Sequence, residues 1–492
     1  MRSLERIPAH EEKRLVVLRY LAESLFTPGE RYDEREVNRR LAGAHEDVAS
    51  LRRYLVGAHH GARVGPVLAD LAGDVAAVTE ATRANAPTGW RAMWTPRRAR
   101  LWLIAAAIAA WLPLLGMPLR RWLDFAAFYA AGHFAFTPQL VQLRPLVEWQ
   151  ASLGLPLTPF VYPPWIAIAY APLAALPYDV AGALNALIEF AALLLAVRLG
   201  SRLLGLPTRI AFLGTLAWAP VAAGVVSGQN SGVALLLLVA SAAALSTGRN
   251  GVAGTVAGVL AYKPQLGIPL AATLAWRRDV RAVLGILAAV AVTYLLGVLA
   301  AGGRWDWPAA WLGILSSYSG PDLEANGWQA VSLPALFARL GVGGHGAFAW
   351  SSLAGYALAA PIVILSLPAL RRLEPVGAVA LAAAVGLLVS PHAWVYDATM
   401  LLPALGVFAR DATWRGWPWH DRWLIAAAYA IALLWPLGAF VAVTPVVVVV
   451  VAAPLVLLGL GPFRPYALHV EREPASAFGT ASGQARADAV GE

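Results

Sequence analysis

The sequence predicts an all-α polytopic membrane protein with a small soluble domain at its N-terminus. Three observations carry that prediction. The chain of 492 residues is 59% hydrophobic and only 14% charged, against roughly 25% charged in ordinary soluble chains. Residues 1–100 nevertheless hold 30 of its 67 Lys, Arg, Asp and Glu side chains, so charge is concentrated ahead of the apolar part. Beyond residue 100, apolar runs recur and many are closed by arginines, as membrane spans bounded by cytoplasmic loops are. The absence of cysteine excludes thiolate chemistry, Cys-ligated metals and disulfides. The net charge of +9 is almost all arginine and reads as cytoplasmic loop charge. The start, Met1-Arg-Ser-Leu-Glu-Arg-Ile-Pro8, has no apolar core, so no cleavable signal is expected.

Residues 1–70 read as a winged-helix-like cytoplasmic domain. Leu15, Val16, Leu18, Leu21 and Leu25 form a helical stripe, and Thr27-Pro-Gly-Glu30 is a turn. Asp33 and Glu36 have the spacing of a capping box ahead of Val37 and Leu41. A third helix turns Val48, Leu51 and Leu55 inward and Arg52 and Arg53 outward, as a DNA-reading helix would. Residues 71–97 read as a linker, 98–462 as the membrane domain, and 463–492 as a disordered cytoplasmic tail.

The first span is expected at about 101–117. Arg97, Arg98 and Arg100 precede it and place the N-terminus inside. Asp124 then lies outside. The stretch 164–176 has about 13 apolar residues, short of the ~20 a span needs, so it is expected as an interfacial helix. Spans follow at 180–197, 210–226 and 233–245. Within 252–275, Lys263-Pro264 breaks the helix, which predicts two half-helices meeting at a Lys263 apex, tolerated where they line a protein cavity. A span at 283–299 leads to a Trp- and Gly-rich outer loop at 302–346. Further spans are expected at 347–370, 376–389, 400–408, 424–441 and 444–461. The total is about ten, with both termini cytoplasmic.

This topology gathers the polar residues on one, extracytoplasmic, face: Asp124, Tyr162, Gln229-Asn230, Lys263, residues 326–332, His392 and Asp397. Lys263 is the only lysine beyond residue 13. A compact cation at membrane depth suits a phosphate group, although a lysine there also snorkels to the surface. Each of the others has a plain structural reading: Asp124 as a helix cap, His392 as a hydrogen-bonded loop residue, Gln229-Asn230 as a turn. Glu189 and Asn185 lie inside a span and need partners. No metal-binding motif is present.

Two resemblances sharpen this reading. Lys13-Arg14, Leu18-Arg19-Tyr-Leu21, Tyr32-Asp-Glu-Arg-Glu36-Val37-Asn38, His45-Glu-Asp47 and Leu51-Arg52-Arg53-Tyr54-Leu55-Val56 look like domain of unknown function 2087. That domain is often attached to bacterial transcription regulators, so the resemblance implies nucleic acid or a protein as partner of residues 1–70. Its usual final hairpin reads poorly in Gly61-Ala-Arg-Val-Gly-Pro66.

The membrane domain resembles glycosyltransferase family 87. An aspartate after the first span with nearby aromatics, Phe160-Val-Tyr162-Pro163-Pro164, Gly228-Gln229-Asn230, Ala253-Gly254 with Tyr262-Lys263-Pro264, and Ser390-Pro391-His392-Ala-Trp394 occur in the family's order. The resemblance implies a GT-C-fold, polyprenyl-phosphate-mannose-dependent transferase of the bacterial plasma membrane, acting with inversion and without a cofactor. It implies Asp124 as catalytic base, with Tyr129, Tyr162, Gln229, Asn230, Lys263, His392 and Asp397 contacting donor or acceptor. The partners would be the polyprenyl-phosphate sugar, a glycolipid or glycan acceptor, and membrane lipids. Arg144 and Glu148 in the first outer loop depart from the pattern, as does the fused N-terminal domain. Two alternatives stand beside this reading. One is a membrane-tethered regulator whose Arg52 and Arg53 meet DNA phosphates in a salt-sensitive way. The other is a transporter or flippase, for which the usual internal repeats and midplane site are missing.

Overall fold

The computed structural model describes residues 96–116, 122–340, 350–414, 417–439 and 444–460, with a few positions between 21 and 44. The chain divides into two compact units, Met1–Leu101 and Trp102–Glu492. In the first, Leu21 and Leu41 are buried, and the Arg40 guanidinium donates to the Leu25 carbonyl at 2.7 Å. The expected winged-helix arrangement, nearly all of the linker, and the C-terminal tail lie outside the described residues.

Among the described residues the regular structure of the second unit is helical, apart from one isolated antiparallel bridge between Ala330 and Trp394. Helix α1, Pro96–Gly116, carries Arg97, Arg98 and Arg100 in its first turns. Two short helices follow, α2 (Phe125–His133) and α3 (Leu143–Ser152). Helix α4, Ile166–Ala174, has nine residues and is therefore about 14 Å long, under half of the ~30 Å hydrocarbon core. It cannot cross a membrane alone, in keeping with the short apolar run. Helix α5 (Tyr178–Leu203) is the first of the long apolar helices.

The expected straight span at 210–226 is instead two helices, α6 (Thr208–Leu216) and α7 (Ala219–Ser227), bent by 67°. Pro220 causes the break, because its ring excludes the carbonyl four residues back and it offers no amide hydrogen. Buried Trp218 pins the bend by donating its indole N–H to the Ala398 carbonyl at 2.9 Å. Helix α8 (Ser231–Ser246) is followed by α9 (Asn250–Leu260) and α10 (Pro264–Trp276), which are broken at Lys263-Pro264 as the proline predicts.

Helix α11 (Val280–Ala300) starts on the cap of Asp279, whose carboxylate accepts from Ala282 N. The Trp- and Gly-rich segment expected as a loop holds a 20-residue helix, α12 (Trp307–Asn326), and a shorter one, α13 (Leu333–Leu340). The chain then runs through α14 (Trp350–Arg372) and α15 (Pro375–Val389). After a 3-10 turn over Val395–Leu401 come α16 (Leu402–Trp414), α17 (Trp419–Leu433) and α18 (Thr444–Leu460).

Among the described residues three helices, α5, α11 and α14, are long and apolar enough to cross a membrane, or four if α6 and α7 count as one span. The about ten spans expected from the sequence are not reached by that measure, since several apolar helices stop short at prolines and glycines. The outer surface is apolar all the same. Helix α11 exposes Val280, Leu284, Leu287, Val290, Leu295 and Leu299, a stripe that would be a large unfavourable patch in water and that suits lipid.

Helix α15 is the centre of the bundle, with 12 of its 15 residues buried. Small residues allow the close crossings around it. A methyl at Gly386 would collide with the Gln265 carbonyl of α10, one at Gly254 with the Ala282 carbonyl of α11, and one at Gly232 with the Glu189 carbonyl of α5. Backbones approach this closely in membrane bundles where glycine removes the side chain. These crossings bring the α7–α8, α9–α10 and α15–α16 connections together.

Candidate functional site

Asp124 occupies the position before α2, but its side chain makes no cap hydrogen bond to that helix. Its backbone N–H donates to the Ser227 carbonyl at 2.8 Å, tying this loop to the end of α7. Gly228 makes the junction possible. It closes α7 in the left-handed conformation (φ +79°), and a Cβ there would lie 2.7 Å from Phe125 Cβ and 2.8 Å from Trp122 Cβ. Only glycine combines that backbone with that contact. The Gly228-Gln229-Asn230 motif is thus the seat of the Asp124 loop.

The Asp124 side chain is partly exposed, and the protein crowded around it pushes its pKa up from 3.8 to about 6. Hydrogen bonds from the Gln229 and Ser227 side chains pull it down; the nearby charge of Asp322 raises it and that of Lys263 lowers it. Removal of water from around a carboxylate favours its neutral form, and here that effect wins over the neutral donors. Gln229 Oε1 in turn accepts from the Tyr162 hydroxyl at 2.8 Å. Asn230 lies beside them at the start of α8, its carbonyl facing the Tyr262 hydroxyl at 3.4 Å and its side-chain Oδ1 buried without a protein partner.

Glu189 and Asn185, left without partners by the sequence, find them here. Glu189 Oε2 accepts from Gly232 N at 2.8 Å and Val233 N at 3.1 Å, so a carboxylate caps the positive end of α8. Asn185 Nδ2 reaches the Gly228 carbonyl at 3.4 Å.

Lys263 sits at the apex between α9 and α10, where the sequence puts it. Its ammonium lies 2.8 Å from Asp397 Oδ1, with the two side chains 2% and 3% exposed. The charge expected to meet a phosphate is therefore taken up by a carboxylate. The physical reason is desolvation: a buried ammonium without a counter-charge is strongly unfavourable. The Tyr396 ring lies 5.4 Å from Nζ. Asp397 Oδ2 accepts from Trp394 N at 3.2 Å and faces Gln265 Nε2 at 3.4 Å.

His392 is held by a residue the sequence reading missed. Its Nδ1 lies 3.2 Å from Oδ2 of Asp322 on α12. Ser390 Oγ shapes the loop by accepting from His392 N at 3.1 Å and donating to the His392 carbonyl at 2.8 Å. The signal that could have found Asp322 is the spacing Tyr318, Asp322, Asn326, a helical stripe of polar residues inside a segment taken for a loop. Tyr129 goes elsewhere. Its hydroxyl donates to the Leu176 carbonyl at 2.7 Å, and its ring packs on Trp149 and Tyr178.

The structure thus brings together Asp124, Tyr162, Gln229, Asn230, Lys263, His392 and Asp397, adds Asp322 and Glu189, and leaves Tyr129 in the packing between α2 and the α4–α5 corner. Among the described residues no group of three His, Asp or Glu side chains is arranged to hold a metal ion.

The description Glycosyltransferase family 87 belongs to a family model that matches residues 160–391. A second family model, described as an uncharacterized protein conserved in bacteria (DUF2087), matches residues 3–64. Neither the curated proteins nor the solved structures gave a match. The first match takes in Tyr162, Gln229, Asn230, Lys263 and Asp322, stops one residue before His392, and begins after Asp124. With the helical bundle and its cluster of polar residues, these matches support a membrane-associated glycosyltransferase that is similar to glycosyltransferase family 87 over residues 160–391 and to DUF2087 over residues 3–64.

Proposed function

We propose that the protein moves a sugar, mannose by family resemblance, from a polyprenyl-phosphate donor to a hydroxyl of a glycolipid or cell-envelope glycan. The transfer takes place on the extracytoplasmic face of the bacterial plasma membrane, with inversion at the anomeric carbon and Asp124 as base. The observation that carries this reading is a difference among four acids of one cleft. Glu189 caps a helix, Asp397 is paired with Lys263, and Asp322 holds His392. Among the described residues Asp124 is hydrogen-bonded by neutral side chains, those of Gln229 and Ser227, and it is partly open. Glu189, Asp322 and Asp397 are buried, so Asp124 is the carboxylate of the four that an acceptor hydroxyl can approach.

The step balances without a further co-reactant. The acceptor hydroxyl gives its proton to the Asp124 carboxylate as its oxygen bonds the anomeric carbon. The bond from that carbon to the phosphate oxygen breaks, and polyprenyl phosphate leaves with the electron pair. A pKa near 6 suits a general base working around neutral pH. Tyr162 and Gln229 orient the Asp124 side of the cleft, and His392 meets the donor phosphate. Lys263 acts at a distance, since its charge lowers the proton affinity of Asp124 while its ammonium stays with Asp397.

The test is transfer from labelled polyprenyl phosphate mannose to a mixed glycolipid pool in membranes holding equal amounts of wild type or Asp124→Asn. The wild type should make labelled product, and the variant should lose about 10²- to 10⁴-fold, the span ascribed to a positioned base. Equal product from both would remove Asp124 from the role. No product from wild type would remove the donor or acceptor class.

A further inference from the structure

We propose that Asp322 is a positioning residue for His392: it accepts a hydrogen bond from Nδ1–H and so leaves Nε2, on the far edge of the half-exposed ring, free to meet substrate. The inference rests on the transferase reading above for its consequence, but not for its geometry.

Asp322 is fixed before His392 reaches it. It is buried on α12, and its Oδ1 accepts from the Tyr318 hydroxyl at 2.8 Å and from Asn326 Nδ2 at 2.7 Å. Both donors stand one helical turn away on the same helix, so the carboxylate cannot swing. Oδ2 is left with His392 Nδ1 at 3.2 Å and has no hydrogen bond of good geometry. A buried carboxylate oxygen without a donor is costly, and a proton on Nδ1 is the donor within reach. Catalytic contacts are often long in the free enzyme and tighten when substrate binds.

The ring is restrained from its other sides as well. Trp394 packs against it with centroids 4.6 Å apart, and the Ser390 hydroxyl ties its backbone on both the N–H and the carbonyl. The side chain is nonetheless 36% exposed, and among the described residues none bonds Nε2. The hydrogen bond made by one ring nitrogen decides what the other can do. With Nδ1–H given to Asp322, neutral His392 offers a lone pair at Nε2 and protonated His392 offers a donor there. Either way Nε2 is the atom a donor phosphate or an acceptor hydroxyl meets. Asp322 also lies near enough to Asp124 for its charge to act there.

Two measurements test this. The first is a double-mutant cycle on sugar transfer with Asp322→Asn, His392→Gln and both together. Asp322→Asn should lower kcat/KM by about 10- to 100-fold, a loss milder than the ~10⁴ known for a triad aspartate. The double variant should be no worse than His392→Gln alone, because residues acting as one unit are not additive. Additive losses, or an Asp322→Asn variant as active as wild type, would overturn the proposal while leaving the transferase reading intact. The second is the ¹⁵N spectrum of histidine-labelled full-length protein in detergent at mildly alkaline pH, with the His392 signal assigned by its loss in His392→Gln. Wild type should show the Nδ1–H form, and Asp322→Asn should lose its dominance. A His392 protonated only at Nε2 in wild type would overturn the proposal even if no sugar transfer were ever detected.

Discussion

Asp124 and Asp397 bring the same carboxyl group into one cleft and end in opposite states. Asp397 is 3% exposed, lies 2.8 Å from the Lys263 ammonium and also accepts from Trp394 N. Asp124 is partly open, is bonded by Gln229 and Ser227, and has its pKa pushed up to about 6. A buried carboxylate matched to a cation and to a backbone donor joins distant parts of the chain. A crowded carboxylate hydrogen-bonded by neutral donors keeps an affinity for protons near neutrality. On the proposed reading the chemistry of this site belongs to its partly open acid, and its rigidity to the one paired with a cation.

The sharpest way to break that comparison is to neutralise each acid in turn. Asp124→Asn should remove about 10²- to 10⁴-fold of transfer activity and leave the thermal unfolding midpoint in detergent close to wild type. Asp397→Asn should do the reverse in kind and lower the midpoint, because it strands a buried ammonium. If Asp397→Asn melted like wild type yet made no product, the assignment of the two roles would be inverted.

The pair itself can be separated from its parts. Lys263→Met alone should cost about 3–5 kcal/mol by leaving Asp397 unpaired in the interior. Combining it with Asp397→Leu should restore much of that loss, since apolar replacement of a whole buried pair is often close to neutral. Chemical denaturation of the three proteins in the same micelle measures both effects. A double variant less stable than Lys263→Met would mean that Asp397 matters through its Trp394 and Gln265 contacts more than through the lysine.

Proton affinity gives a third test. Asp124 acts as a base only when ionised, and with a pKa of about 6 it is protonated below that value. The rate constant kcat/KM should therefore climb about tenfold per pH unit in the acid range and level off above pH ~6, the acid limb of a single essential base. A profile with no acid limb near that pH would assign proton transfer to another group.

The smallest effect is expected at the junction beneath Asp124. Gly228→Ala forces a side chain into a left-handed backbone, with its methyl 2.7 Å from Phe125 Cβ. It should cost about 1–3 kcal/mol, as strained backbone conformations do, and should lower kcat without touching any titrating group. An unchanged melting midpoint with unchanged kcat would show that the Trp122–Phe125 loop yields at no cost.

Local chemistry was legible in the sequence. Proline and length predicted the Lys263-Pro264 break and the short α4, and the position of Asp124 just past the first apolar helix was read directly. The bend between α6 and α7 was missed although Pro220 signalled it, because the apolar run continues unbroken through Trp218. Helix α12 was missed because Trp, Gly and Ser mask its period. With the helix went the stripe of Tyr318, Asp322 and Asn326, and hence the partner of His392. Lys263 and Asp397 were each singled out, but as two separate contacts with substrate. They lie 134 residues apart, and nothing local to either one names the other.

Composition and spacing by themselves determined that this is an apolar helical protein with a charged N-terminal part, and that its polar residues recur at the ends of helices. Those are properties of short stretches of chain, set by proline geometry, helix length and the cost of moving charge out of water. Only the tertiary structure decided which acid is left partly open, which one is joined to the single lysine of the membrane domain, and which one faces the histidine. That depends on the close crossings at Gly232, Gly254 and Gly386, which bring loops far apart in sequence within hydrogen-bonding distance and set how much water each carboxylate retains.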